Sequence, residues 1–148
     1  MDTKKMIMAW FGAYVAMFFL SFLWYGILME SYYSENFIEV RISEEEFSLT
    51  LIAVGYMILT LLMSYIFPLG SKGGSAVNEG MRFGVLLGMI RALPTAFILS
   101  AVYKMPLSAN LVDAVYIIVE SAIGGIVIAK IYGSGSGDAA PEVETDSE

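Results

Sequence analysis

Four long apolar runs separated by short polar stretches set the plan of this chain. The first, Met6 to Leu28, is 23 residues without a charge. As a helix it would extend roughly 34 Å, enough to cross a bilayer with some tilt. Three more runs follow, at about residues 46–67, 79–103 and 111–132. The pattern predicts an all-α polytopic membrane protein, a bundle of four transmembrane helices over residues 1–132. The remaining stretch, 133–148, reads GSGSGDAAPEVETDSE. It lacks the apolar residues a packed core needs and is expected to be a disordered acidic tail.

The punctuation between the runs sharpens their ends. A cleaved signal peptide would have an apolar region of only about 7–15 residues and then a small-x-small site. The first run is longer and ends in Trp24-Tyr25-Gly26, which suits an uncleaved span with an aromatic belt. Residues 30–46 form a polar loop with six acids and one base, Arg41. Ser43 followed by Glu46 spells a capping box, so the second span is expected to begin at Glu44 or Phe47 and to stop before Pro68. The Gly/Ser-rich stretch 68–78 lacks the G-x-x-x-x-G-K-[ST] spacing of a phosphate loop and reads as a flexible connector. Asn78 is the expected N-cap of the third span, and Pro94 should kink that span near Arg91. The short turn 104–110 makes the third and fourth spans antiparallel neighbours.

Composition agrees with the pattern and removes whole classes of chemistry. The chain is 57% hydrophobic and 16% charged, with a mean hydropathy of +0.70. Soluble domains run at roughly 45–50% apolar and about 25% charged. There is no Cys and no His. Disulfides, thiol chemistry, the commonest metal ligand and the commonest general base are therefore absent. No metal, cofactor or nucleic-acid partner is expected. The net charge of −7 is concentrated, because five acids lie in the tail and the rest of the chain carries only −2. Lys4, Lys5, Lys72, Arg82 and Lys130 fall on one side of the four spans, and Arg41 and Lys104 on the other. The bias places both termini in the cytoplasm, with the protein in the cytoplasmic (inner) membrane.

The stretch 78–94, NEGMRFGVLLGMIRALP, carries the candidate chemistry. Gly80, Gly84 and Gly88 recur every four residues, which marks a helix face where a second helix can approach closely, and Arg91 continues that face. The fourth span supplies Glu120 with Gly124 one turn on. In antiparallel spans Arg91 and Glu120 land at one depth near the midplane. An unpaired charge there costs about 2.5–3.5 kcal/mol on insertion scales, so the two should meet. Such a pair could relay a proton or ion, or hold a polar substrate or lipid headgroup. It could equally be a pin that fixes helix register. Gly12 and Ala16 form a second small-residue face on the first span. Tyr56, Thr60 and Ser64 give the second span one hydrogen-bonding stripe, and Asp113 lies nearer the outer surface, where Lys104 could pair with it. Glu79 and Arg82 read as a solvated pair at the membrane surface. The string Gly135-Ser136-Gly137-Asp138 resembles a motif of intramembrane aspartyl proteases, but it sits in the tail with no Tyr-Asp partner in a span.

Several of these features resemble an uncharacterised bacterial family of small four-span integral membrane proteins, a domain of unknown function. The resemblance rests on Leu23-Trp24-Tyr25-Gly26, on Ser43-Glu44-Glu45-Glu46 and on the glycine-bearing third span. It continues in Pro106-Leu107 ahead of Asp113 and Tyr116, and covers about residues 6–132. Arg91 stands outside it. The resemblance implies a four-helix bundle and carries no activity. The sequence leaves a non-enzymatic membrane subunit, self-associating or accessory to a larger complex, as the leading expectation. The alternative is a small transporter or channel-like protein using Arg91 and Glu120. No catalytic residue is assigned.

Overall fold

The computed structural model describes residues 2–37 and 46–133. The Ser43 capping box, Arg41 and the tail beyond Gly133 lie outside the described residues. The described residues fold into helices alone, with no strand. Helix α1 runs Thr3–Leu23 and continues as a single π-helical turn, Trp24–Leu28. Then come the short α2, Glu30–Asn36, and three long helices: α3, Leu49–Gly70; α4, Ala76–Val102; and α5, Leu107–Gly133. The α1 span with its π turn, α3, α4 and α5 are each long and apolar enough to cross a membrane.

The helix ends show why several boundaries differ from the sequence reading. Helix α1 starts at Thr3 because Asp2 caps it, accepting from the Lys4 and Lys5 backbone N–H at 3.0 and 3.2 Å. The two lysines sit in its first turn, from which their long stems can reach the membrane surface. Part of the expected polar loop is helical, since α2 folds Tyr33 inward. Helix α3 begins later than expected, at Leu49, behind Ser48, whose hydroxyl accepts from Leu51 N–H at 3.3 Å. It also passes through Pro68 to Gly70 instead of stopping. Pro68 has no N–H to give the Ser64 carbonyl, and the Tyr132 hydroxyl donates to that oxygen instead, at 2.8 Å. Helix α4 starts at Ala76, which leaves Asn78 inside the first turn and not at the cap. Helix α5 starts one turn earlier than expected, at Leu107, and Asn110 of that turn donates from Nδ2 to Ser100 Oγ of α4 at 2.7 Å.

Helix α5 is the hub. It packs against α4, α1 and α3, and α1 also packs on α3. Consecutive helices α3 and α4, by contrast, keep their backbones apart and touch through Phe67 and Phe83 near one end. The bundle is therefore a ring open along its α3–α4 side. Lys5 Nζ donates to the Tyr132 carbonyl at 3.0 Å, which brings the start of α1 and the end of α5 to the same end. The turn between α3 and α4 lies there too, so Lys4, Lys5, Lys72, Arg82 and Lys130 share one end and Lys104 lies at the other.

The tightest contact is α4 on α5. A Cβ added at Gly80 would lie 2.5 Å from the Gly125 carbonyl oxygen, one at Gly88 2.7 Å from Ile118 Cα, and one at Gly84 2.6 Å from Ala122 Cα. These are backbone atoms that cannot swing aside, so glycine is what allows the two helices this close. Gly125, unremarked in the sequence, is the reciprocal notch: its own Cβ would lie 3.1 Å from Gly84 Cα. Gly124 turns away from α4 and receives Met17 of α1. Gly12 faces Ile131 and Val127 of α5. The glycines of these small-residue faces are thus consumed inside the bundle and are not free to meet another subunit.

A buried carboxylate site beside an open groove

The α4–α5 glycine contact determines what happens at mid-depth. With the backbones this close, Arg91 on α4 reaches Glu120 on α5, and Nη2 lies 3.5 Å from Oε2. The pairing expected from sequence is present, and it is asymmetric. Glu120 is fully buried, whereas the Arg91 side chain is 33% exposed. At that length the contact is an ion pair without a formed hydrogen bond. Arg91 Nη1 and Glu120 Oε2 each lack a hydrogen-bond partner among the described residues.

The other carboxylate oxygen is well served. Glu120 Oε1 accepts from the Tyr56 hydroxyl of α3 at 2.7 Å and from the Tyr116 hydroxyl of its own helix at 2.9 Å. The Tyr56–Thr60–Ser64 stripe points into the bundle. Thr60 Oγ1 bonds back to the Tyr56 carbonyl at 2.7 Å, which fixes the turn that aims the phenol. Thr60 itself does not reach Glu120. Tyr116 lies one turn before Glu120 on α5, a spacing that brings side chains together on a helix face, and this signal was available in the sequence.

A second carboxylate lies two turns along α5. Asp113 Oδ1 accepts from the hydroxyls of Tyr33, at 3.0 Å, and Tyr25. The Trp24 indole N–H donates to Tyr33 Oη at 3.0 Å. Burial pushes the Tyr33 phenol above its ordinary range; the Trp24 N–H opposes that shift and the charge of Asp113 adds to it. The Trp24 ring stacks on Tyr116 with centroids 4.6 Å apart and planes 6° apart, and Tyr25 meets Tyr116 edge-on at 5.4 Å. Asp113 and Glu120 are thus joined by one aromatic cluster. Trp24 and Tyr25, read as an aromatic belt at the end of the first span, turn their polar ends inward, because the π turn packs an extra residue and brings successive side chains round toward α5.

Arg91 opens sideways onto the gap between α3 and α4. There it shares a groove with Ile52, Gly55, Tyr56, Ile58, Leu59 and Leu62 of α3. A Cβ added at Gly55 would meet nothing within 4 Å.

A family profile described as Protein of unknown function (DUF1761) matches residues 8–129. The chain belongs to that family. The matched region contains all four spans in whole or large part, the Arg91–Glu120 pair and Asp113. No curated protein and no solved structure matches the chain. DUF1761 membership therefore agrees with a membrane bundle of unknown activity, and the resemblance noted from the sequence is to a domain of that kind.

Proposed function

We propose that this DUF1761 protein is a non-enzymatic subunit of the cytoplasmic membrane, with both termini inside, that works by association with its own copies or as an accessory to a larger complex. The observation that carries this reading is Arg91. Its side chain sits beside Glu120, a third exposed, and lines an open groove, while its Nη1 is buried and unbonded among the described residues. A cation facing hydrocarbon is expensive, and a polar group on a partner helix laid against α3 and α4 would relieve that cost. The groove takes over the role that the glycine faces, used up inside the bundle, do not fill.

The test is the mass of the complex extracted gently from its native membrane with its lipids, joined to cross-linking in a chain that has no native Cys. Ile58→Cys on the groove wall should cross-link to a second subunit, and Phe19→Cys on the outer face of α1 should not. A chain that leaves the membrane alone, with neither position cross-linking, would sink the reading. Glu35→Cys in α2 checks orientation. Labelling from outside by an impermeant thiol reagent supports it, and labelling only after lysis reverses it.

A second reading, a small transporter, is favoured by the aromatic cluster joining Asp113 to Glu120. It requires that a protein carrying Arg91→Met with Glu120→Leu still fold yet lose transport.

A further inference from the structure

At the end of the bundle where five bases gather, α3 and α4 flank a separate half-open cavity of about 220 Å³. Phe67, Phe83 and Leu86 form its apolar side, and Ser71, Lys72, Glu79 and Arg82 its polar rim. Phe67 and Phe83 meet edge to face at 5.4 Å.

The one acid on the rim is already engaged. Glu79 accepts from the backbone N–H of Lys72 and Gly74, at 2.9 and 2.8 Å, and from the Ser71 hydroxyl. Gly73 supplies the left-handed backbone, φ 78°, that turns these donors toward it. The loop read as a flexible connector is therefore a built turn with Glu79 as its keystone. Its closure holds Lys72 over the cavity. Arg82 acts on Glu79 through its charge, and neither the Lys72 nor the Arg82 side chain forms a hydrogen bond or a close ion pair among the described residues.

From this arrangement we infer a binding site for an anionic phospholipid. Lys72 and Arg82 take the phosphate, and an acyl chain lies along Phe67, Phe83 and Leu86 toward the hydrocarbon. Charge complementarity and the amphipathic lining select the occupant. A free phosphate would use the rim and leave the apolar wall bare, whereas a zwitterionic lipid would bring a cation against two cations. The site lies near the membrane surface, apart from the mid-depth groove at Arg91, and does not rest on the association reading.

The test is native mass spectrometry of the full chain taken from bilayers of equal parts phosphatidylglycerol and phosphatidylcholine, counting retained lipids. The wild type should retain phosphatidylglycerol preferentially. Lys72→Gln with Arg82→Gln should reduce that preference roughly tenfold or more. Lys4→Gln with Lys130→Gln removes the same charge from the same end outside the cavity and should leave the preference intact. An equal loss in both pairs would mean diffuse surface attraction and overturn the site. So would displacement of the lipid by soluble glycerol phosphate at matching concentration, or the absence of any preference in the wild type. Unchanged thermal unfolding of the Lys72/Arg82 variant would show that its loss is not a failure to fold.

Discussion

Replacing Gly84 by Ala should loosen the whole site. The added Cβ would lie 2.6 Å from Ala122 Cα and also strike the Ser121 carbonyl. Carbon atoms pack best at about 3.5–4.0 Å, so α4 and α5 must part by about 1 Å. A gap of that size forfeits roughly a quarter to a half of each affected dispersion contact. Overpacking of this kind costs about 1–3 kcal/mol, set against a gain of up to about 1 kcal/mol from alanine's helix propensity. The separation also stretches an Arg91–Glu120 contact that is already 3.5 Å long. Gly55→Ala is the matched control, because nothing lies within 4 Å of its new methyl. It should be neutral or stabilising by up to about 1 kcal/mol. Gly124→Ala falls between, since what it meets is the flexible Met17 side chain. Unfolding in mixed micelles of increasing SDS fraction, followed by tryptophan emission, ranks the three. If Gly84→Ala unfolds at or above the wild-type SDS fraction while Gly55→Ala does not, the close α4–α5 contact is not what holds the bundle.

Three further outcomes follow from the same geometry. Glu120→Leu strands Arg91 and two phenols and should cost about 3–5 kcal/mol; the double variant Arg91→Met, Glu120→Leu should be milder, and equal stability of single and double would refute the coupling. Tyr132→Phe should cost about 1 kcal/mol by uncovering the Ser64 carbonyl, and much less in a Pro68→Ala background, where an N–H returns; an unfolding double-mutant cycle that comes out additive would deny the compensation. Asp113→Ala should free the Tyr25 and Tyr33 hydroxyls and shift Trp24 emission, while Asp113→Asn, which keeps an acceptor, should shift it less; measuring both in a Trp10→Phe background isolates the signal.

Arg91, Glu120 and the glycine ladder were legible because each obeys a local rule with a depth attached. Helical spacing put Gly80, Gly84 and Gly88 on one face, and the cost of a charge in hydrocarbon demanded that Arg91 find an acid. Tyr56 was legible as part of a polar stripe, though not as the donor to Glu120. Tyr33 was hidden, because it sits in a stretch whose acids read as a loop, and its burial depends on α2 folding back against the π turn. Gly124 and Gly125 show the limit of spacing arguments. Adjacent residues on α5 serve different neighbours, α1 and α4, and which one faces which is a matter of helix rotation.

The sequence by itself determined four helices long and apolar enough to span a membrane, the antiparallel pairing of the last two, and the matching level of Arg91 and Glu120. Length, hydropathy and the bilayer's intolerance of lone charges act on each segment separately, so no partner need be known. Only the tertiary structure decided that α5 is the hub, that the glycines are spent inside, that α3 and α4 stand apart, and that Asp113 is held by phenols. Those outcomes depend on the rotation and spacing of whole helices. In lipid, packing sets them through small local differences in shape, which no single span's sequence expresses.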